Sequence, residues 1–264
     1  MRAMQRQQDQ HFAVTGAGTG IGRAVALRLS AEGARVSLFG RRTEPLEETR
    51  DLAVSAGAAP DSVFLASMDV RDDASVTGGL ASAVTALGPL RGVIANAGIG
   101  GPNFPGEEDR FEDLVATNVG GTYRTLRAAQ SLLVDDGGPR HMVALSSILG
   151  RFGVPWYTGY CTSKTALLGL VRALAMELAD QEIQVNAICP GWVETEMAWE
   201  GIDGMATAMK VSREEAFAIA MKDVPMGRMS QPEDIAGLVA FLVSPDARGI
   251  TGQGMDMNGG AFMG

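Results

Sequence analysis

A chain of 264 residues, 46% hydrophobic and 20% charged, is long enough to form one large α/β domain and needs no second domain to bury its apolar side chains. Its 31 acidic residues outnumber 22 basic ones, and the formal net charge of −9 disfavours a general affinity for nucleic acid or anionic membranes. The composition therefore favours a small-molecule partner over a polyanionic one.

The N-terminal stretch and the cysteines bear on the cellular compartment. Residues 1–11 are polar and contain no apolar segment like that of a signal peptide, and no apolar run reaches the roughly 18 residues of a membrane span. The two cysteines, Cys161 and Cys189, make no disulfide framework, and their spacing matches no metal-binding motif. We expect a soluble, cytoplasmic protein with reduced thiols and no metal.

The first chemical signal is a glycine cluster between a predicted strand and a predicted helix. An apolar run at residues 12–14 leads into Gly16, Gly18, Gly20 and Gly22, and apolar residues at helical spacing follow. A turn without Cβ atoms lets backbone N–H groups and the positive end of a helix approach a pyrophosphate. The strand-turn-helix context predicts dinucleotide binding, although a glycine pattern alone also fits an ordinary loop.

The end of the next predicted strand, at residues 35–39, bears on the choice of cofactor. In a dinucleotide site this strand end faces the adenosine ribose, where an acid binds the 2′-hydroxyl of NAD and an arginine accepts the 2′-phosphate of NADP. The sequence has Arg41 and no acid there, and the neutral Thr19 adds no second phosphate ligand. This favours NADP(H), with NAD(H) as the alternative if Arg41 only stacks on adenine.

Helices and strands then alternate to the end of the chain. Helices are predicted at 44–56, 73–87, 111–134, from Tyr160 to about 179 and at 232–243, and strands at 63–66, 91–95, 142–145, 183–188 and 254–257. Such alternation predicts one domain over residues 1–264, with a parallel sheet of about seven strands and helices on both faces. The Asn96-Ala97-Gly98 turn follows a strand and so lies at the ligand crevice.

Tyr160 and Lys164 are the candidate catalytic pair. Four residues apart on a helix, their side chains leave the same face with Cβ atoms roughly 5–6 Å from each other. A phenol with a pKa of about 10 is a poor acid or base at neutral pH, and a nearby ammonium brings that pKa toward the working range. Ser147 can hold a substrate oxygen against the phenol. The spacing alone also fits a packed tyrosine beside a solvated lysine.

Six motifs in order resemble the short-chain dehydrogenase/reductase family and cover nearly the whole chain. They are the glycine motif at 15–22, Asn96-Ala97-Gly98, Asn118, Ser147, Tyr160 with Lys164, and Pro190-Gly191. The resemblance implies a Rossmann-like doubly wound parallel sheet. It also implies an NAD(P)(H)-dependent oxidoreductase that interconverts a secondary alcohol and a ketone.

The resemblance assigns a role to each catalytic position. Tyr160 would exchange a proton with the carbinol oxygen, Ser147 would orient that oxygen, and Lys164 would bind the nicotinamide ribose and lower the pKa of the phenol. Asn118 would hold a water that links Lys164 to solvent, whereas by itself an asparagine within a helix indicates a structural role. The expected cofactor contacts are Gly16, Thr19, Gly20, Ile21, Arg41, Asp69, Val70, Asn96, Ala97, Gly98, Tyr160, Lys164, Pro190, Gly191, Val193 and Thr195.

Substrate specificity is expected in the loop after Ser147 and in a lid at about 192–224, as in the family. All three tryptophans fall in these stretches, which favours an apolar pocket for a hydrophobic, aromatic or cyclic small molecule. The expected substrate contacts are Ser147, Leu149, Trp156, Tyr157, Trp192, Met197 and Trp199. Alternatively, the tryptophans pack the lid or form a subunit contact. Within the lid, Ser212 and Glu215 predict a capped helix.

Other activities and assemblies stay open. A 3-oxoacyl ketoreductase acting on acyl-CoA, acyl-carrier or polyketide substrates is the main alternative, but acidic helix ends at 131–136 and 176–180 would repel an acidic carrier. A non-catalytic dinucleotide sensor would have no need of a tuned phenol. The last helix and strand resemble the elements through which family members form homotetramers, with Phe241, Phe262 and Met263 at that contact or closing the core.

Overall fold

The computed structural model describes residues 6–264, and its centre is one parallel sheet. The strands are β1 (His11–Thr15), β2 (Arg35–Gly40), β3 (Val63–Ser67), β4 (Gly92–Ala95), β5 (Arg140–Leu145), β6 (Ile183–Pro190) and β7 (Gly254–Met257). Their order is β3-β2-β1-β4-β5-β6-β7, and every neighbouring pair is parallel. The strand order reverses between β1 and β4, so the ligand crevice is expected beyond their carboxyl ends. The predicted doubly wound sheet is confirmed.

Helices connect the strands and cover both faces of the sheet. They are α1 (Gly20–Ala31), α2 (Thr43–Ser55), α3 (Asp73–Leu87), α4 (Phe111–Val115), α5 (Thr122–Gln130), α6 (Thr158–Leu178), α7 (Glu196–Met209), α8 (Arg213–Met221) and α9 (Pro232–Leu242). All residues of β1 and β6 are buried, as expected of parallel strands covered on both sides. Two large apolar clusters lie one on each face of the sheet, and a third, smaller cluster lies in the lid.

The helix predicted at 111–134 is wrong in continuity and in length. A π-helical turn, Ala116–Gly121, separates α4 from α5, and α5 ends at Gln130. Asn118 lies within this turn, and its side chain forms hydrogen bonds with the backbone N–H and carbonyl groups of Ile99. It therefore does not compete for the backbone hydrogen bonds of its own helix. A π-turn inside a helix often marks a functional site, and here it delivers a polar side chain to the crevice.

The sequence predicts the acidic helix ends, such as the one at 131–136, at the active-site entrance. In the structure, the acidic residues at 135 and 136 lie near the amino ends of the strands, away from the crevice. Asp135 is 3.8 Å from Arg140, the first residue of β5, and Asp136 pairs with Arg91 just before β4. Catalytic residues follow the carboxyl ends of these strands, whereas a helix that precedes a strand ends near that strand's amino end. These carboxylates therefore do not control access to the crevice.

Within residues 6–264, none of the helices combines the length and the hydrophobicity that a bilayer span requires. Cys161 and Cys189 are free thiols. The sequence shows no signal-peptide-like apolar segment in residues 1–11. Residues 1–5 of this stretch lie outside the residues that the structure describes.

Candidate active site

The glycine turn after β1 forms a cradle with the geometry that a diphosphate requires. Gly16 and Gly20 have φ values of +64° and +52°, which side chains other than glycine rarely adopt. A Cβ atom on Gly22 would overlap the carbonyl oxygen of Gly16. Thr19 makes no side-chain cap for α1, and no acidic residue lies in the first turn, so the N-terminal N–H groups face the groove without a competing carboxylate. These residues fit a dinucleotide phosphate.

The Asn96-Ala97-Gly98 turn is tied directly to this cradle. The hydroxyl of Thr15 accepts hydrogen bonds from the backbone N–H groups of Asn96 and Ala97, at 3.0 and 2.9 Å. The side-chain amide of Asn96 donates back to the carbonyl oxygens of Thr15 and Gly16, at 3.0 and 3.2 Å. The two strand ends at the switch point are thereby held in one rigid unit.

A groove of about 520 Å³ runs from the cradle to the carboxyl end of β3. Its far end is lined by Arg41 and Asp69, which are predicted adenosine contacts, and also by Arg42 and Arg71. Arg71, which the sequence analysis missed, lies 3.2 Å from the carboxylate of Asp69 and lowers the pKa of that acid. Its only sequence signal was its position two residues after Asp69 at a strand end.

Tyr160 and Ser147 come together beyond the carboxyl end of β5. The Ser147 hydroxyl lies near enough to the Tyr160 phenol to influence its pKa, and the backbone N–H of Leu149 donates to the Ser147 hydroxyl at 3.1 Å. The ring of Tyr160 is half-buried, but protein surrounds its hydroxyl closely. Desolvation raises the pKa of Tyr160 to about 12, and the nearby Ser147 hydroxyl lowers it by a smaller amount.

The expected lowering of this pKa by Lys164 is wrong for the protein by itself. The Lys164 ammonium lies 5.6 Å from the centre of the Tyr160 ring and donates at 2.8 Å to the carbonyl oxygen of Leu145. Burial lowers the pKa of Lys164 to about 8. Both groups are buried, so the loss of hydration disfavours the phenolate and the ammonium. This cost exceeds the attraction between the two charges.

Asn118 braces the loop that follows Gly98. Its amide nitrogen donates to the Ile99 carbonyl and the Ser163 hydroxyl, both at 3.0 Å, and its oxygen accepts from the Ile99 N–H at 2.9 Å. A Cβ atom on Gly98 would lie 3.0 Å from the Asn118 oxygen and 3.5 Å from the Lys164 nitrogen. Both amide hydrogens of Asn118 are used within the protein, and its water-holding role stays a prediction.

The segment after β6 closes over the glycine cradle. Gly191 donates its N–H to Met257 at 3.0 Å, and Val193 forms a bridge with Ser230. Thr195 caps α7 by accepting from Ala198, and its methyl group would lie 3.1 Å from a Cβ atom placed on Gly20. The structure therefore brings Thr195 against the cradle, as its predicted cofactor contact requires.

Known proteins match both the sequence and the fold of this chain. A family model described as enoyl-(acyl carrier protein) reductase matches residues 16–261, which is most of the chain. The chain belongs to the short-chain dehydrogenase/reductase family. It is accordingly an NAD(P)-dependent oxidoreductase of the kind that interconverts secondary alcohols and ketones.

Relatives of this short-chain dehydrogenase/reductase include enzymes with thioester and ketone substrates in their names. A (3R)-3-hydroxyacyl-CoA dehydrogenase of Mus musculus is 34% identical, with 100% of both chains covered. The crystal structure of an actinorhodin polyketide ketoreductase variant with NADPH matches with a TM-score of 0.88 and 34% identity, over 99% of both chains. Levodione reductase matches with a TM-score of 0.88 and 31% identity, over 97% of this chain and 98% of that one.

Some of the predicted substrate contacts of this short-chain dehydrogenase/reductase lie around the phenol. The rings of Tyr157 and Tyr160 meet edge to face with centres 6.3 Å apart. A Cβ atom on Gly100 would lie 2.9 Å from the Met197 sulfur and 3.7 Å from the Tyr160 ring, so the first turn of the lid helix reaches the catalytic end. Leu149 adjoins Ser147 through its N–H.

The three tryptophans do not form one pocket wall. Trp156 is 60% exposed and its ring lies 5.6 Å from that of Phe104. Trp199 stacks on Phe217 within the lid, at 5.6 Å, and Trp192 lies against Gly201 of α7. The lid contacts of Trp192 and Trp199 agree with the alternative that these residues pack the lid, and substrate contact by any of the three stays a prediction.

Proposed function

We propose that this enzyme reduces a ketone carried by a hydrophobic, cyclic or aromatic small molecule, with Tyr160 as the proton donor. The observation that carries the proposal is the grouping of Ser147, Tyr160 and Lys164 next to Gly98, which lines a groove that fits a dinucleotide. A nicotinamide dinucleotide bound in this groove would supply the hydride.

The side chains of this site divide the remaining work. Ser147 orients the carbonyl oxygen and donates a hydrogen bond to it, and Tyr160 delivers a proton to the same oxygen as negative charge develops there. With its pKa raised to about 12, the Tyr160 phenol stays protonated at neutral pH, which suits ketone reduction. Alcohol oxidation needs the phenolate and should therefore increase with rising pH.

We further propose NADP(H) as the preferred cofactor, with NAD(H) as the alternative. Arg41, Arg42 and Arg71 line the adenosine end of the groove, and Asp69 is the acid that lies among them. Since Asp69 is already paired with Arg71, the exposed Arg41 and Arg42 give this end of the groove a net positive charge that suits a 2′-phosphate.

A 3-oxoacyl thioester is the second candidate substrate, because the named relatives include a hydroxyacyl-CoA dehydrogenase and a polyketide ketoreductase. The acidic helix ends that argued against a carrier-bound substrate lie away from the entrance. Tetralone and acetoacetyl-CoA separate the two substrate classes, because only the first presents its ketone on a ring. Turnover is followed by the absorbance of reduced nicotinamide with each cofactor.

Tyr160→Phe tests the mechanism. We expect the variant to keep binding NADPH, since the phenol hydroxyl is not part of the groove lining, and to lose turnover by about a hundredfold or more because its proton donor is gone. Binding is measured by fluorescence titration and turnover by the nicotinamide absorbance. A variant that reduces both ketones at the native rate would refute the assignment. A native protein that binds NADPH but reduces neither ketone would favour a sensor.

We also propose a cytoplasmic homotetramer. The free thiols of Cys161 and Cys189 support a reducing compartment. β7 is an edge strand of the sheet, and the exposed Met263 lies just beyond it, which supports a subunit contact at this end of the chain. Light scattering that gives the mass of a monomer at micromolar concentration would exclude this assembly.

A further inference from the structure

Asn103, in the loop after Gly98, lies at the centre of a buried hydrogen-bond network outside the catalytic set. Only 4% of its surface is exposed. Its amide nitrogen donates to the Asp109 carboxylate at 2.9 Å and to the Thr158 hydroxyl at 3.0 Å, and its oxygen accepts from the Gly159 N–H at 2.8 Å. Its own backbone N–H donates to the carbonyl oxygen of Trp156 at 2.8 Å.

This network supplies a cap that helix α6 does not provide for itself. The N-cap residue of α6 is Tyr157, which makes no side-chain cap hydrogen bond. The first N–H groups of a helix have no partner within it and are usually satisfied by a nearby Ser, Thr, Asp or Asn in the same segment. Here Asn103 accepts from Gly159, so a different loop caps the helix one residue before Tyr160.

The surrounding contacts fix both the orientation and the distance of this cap. The Asp109 carboxylate accepts from the amide nitrogen of Asn103 and, at 2.9 Å, from the Phe111 N–H. With its nitrogen held in this way, the Asn103 side chain presents its oxygen to the Gly159 N–H. A Cβ atom on Gly159 would come within 3.2 Å of the Asn103 oxygen and 2.9 Å of Leu114. The start of α6 is therefore packed closely against α4 as well as capped.

The same residue holds the loop that precedes α6. Trp156 has a φ of +68°, a backbone conformation that is unfavourable for a bulky side chain. The hydrogen bond from Asn103 to its carbonyl oxygen fixes this conformation, and the chain then enters α6 at Thr158. Asn103 thus restrains the loop and the first helical turn on both sides of Tyr157.

We propose that Asn103 is a positioning residue that holds the first turn of α6, and with it Tyr160, in the geometry for proton transfer. This inference rests on the proposed role of Tyr160. Without the cap, the turn that contains Tyr160 frays, while the cradle between β1 and α1, which shares no hydrogen bond with Asn103, keeps its geometry. Proton transfer depends steeply on the placement of the donor, so kcat responds and cofactor binding does not.

The test compares Asn103→Ala with Asn186→Ala in the intact enzyme. Asn186 is a matched control because it is also buried and uses both amide atoms, donating to Ile250 at 2.8 Å and accepting from Gln253 at 3.1 Å. We expect both variants to lose similar thermal stability. Only Asn103→Ala should lower kcat, by about tenfold or more, with an NADPH dissociation constant within about twofold of native.

Two further measurements keep the test decisive. Hydrogen exchange of the Gly159 and Tyr160 amides should be faster in Asn103→Ala and unchanged in Asn186→Ala. The exchanged pair Asn103→Asp/Asp109→Asn keeps an acceptor for Gly159 and a hydrogen-bond donor between positions 103 and 109, and we expect it to recover most of the lost kcat. This pair also decides the matter if Asn103→Ala does not fold.

Specific results would overturn the inference. A kcat for Asn103→Ala within about twofold of native, an equal loss of kcat in Asn186→Ala, or a folded exchanged pair with no recovery would each contradict it. These outcomes differ from failure of the proposed function, which is judged by Tyr160→Phe. If Tyr160→Phe keeps native turnover, the proposed mechanism fails whatever Asn103→Ala does.

Discussion

Asp69 and Arg71 show how a charge at the adenosine end of the groove depends on its neighbours. The Arg71 guanidinium bonds the Asp69 carboxylate at 3.2 Å, and this hydrogen bond is the main cause that lowers the pKa of Asp69. Arg41 also lowers that pKa through its charge. The acid is therefore ionised and paired with Arg71, and Arg41 keeps its own charge available for a ligand.

Arg41→Asp should shift cofactor preference from NADPH toward NADH. A charge-assisted hydrogen bond contributes about 1.5–3 kcal/mol, so kcat/KM for NADPH should fall by about tenfold or more, while that for NADH changes little. Arg248→Asp is the control, because it changes the net charge equally at an exposed position in the segment between α9 and β7. Steady-state kinetics with both cofactors measure the ratio, and an unchanged ratio in Arg41→Asp would show that Arg41 decides little.

The lid formed by α7 and α8 is stabilised by contacts between these two helices. Ile202 and Ala216 are fully buried in an apolar cluster separate from the two clusters on the sheet. Trp199 stacks on Phe217 and is covered by the Arg213 guanidinium at 5.5 Å, and Arg213 also pairs with Asp203. Because these contacts lie within the hairpin, the two helices keep their mutual packing if the hairpin shifts over a substrate.

Ser212→Ala should loosen α8 without loosening the sheet. Ser212 and Glu215 form the predicted capping box, with hydrogen bonds of 3.1 and 2.9 Å. Loss of an N-cap costs about 1 kcal/mol, which speeds exchange of the α8 amides by about fivefold.

Asp72→Ala is the matched control for Ser212→Ala, because Asp72 caps α3 by accepting from Ala74 and Ser75. It should leave lid exchange unchanged. Hydrogen exchange resolved by residue measures both variants, and equal effects on α8 would contradict the separation of the lid from the body.

Two buried histidines link the stability of the whole molecule to pH. Desolvation lowers the pKa values of His11 and His141 from 6.5 to about 4. The ring nitrogens of His11 lie 2.7 Å from the Gly88 carbonyl and the Ser37 hydroxyl, and the imidazole is held neutral beside Arg35. His141 is likewise buried, near the charge of Arg91.

The free energy of unfolding should fall as the pH is lowered from 6.5 toward 4. In this window the unfolded histidines bind protons and the folded ones do not, so each lowers stability by up to about 1.4 kcal/mol per pH unit. Asp136, with a pKa lowered to about 2, loses its stabilising effect only below 3.8. Denaturant titrations at pH 7 and 5 measure the slope, and the variant His11→Gln/His141→Gln should flatten it. An unchanged slope would assign the pH dependence to other groups.

Local patterns in the sequence were sufficient for much of the fold. The bounds of α3 and β7 are those predicted. Asp72 caps the start of α3, and turn residues flank β7. The glycine turn was also recognisable, since its positive φ values demand glycine at given positions. These features depend on neighbours in the chain.

The sequence by itself determined the strand-helix alternation, the family and the spacing of Ser147, Tyr160 and Lys164, because each rests on local periodicity or a short motif. Only the tertiary structure decided that burial raises the pKa of Tyr160, that a π-turn interrupts the helix at Asn118, and that Asn103 caps α6 from another loop. Desolvation, and the capping of a helix by a residue from another loop, depend on contacts between segments that are distant in the sequence. A single sequence does not show directly which distant segments come into contact.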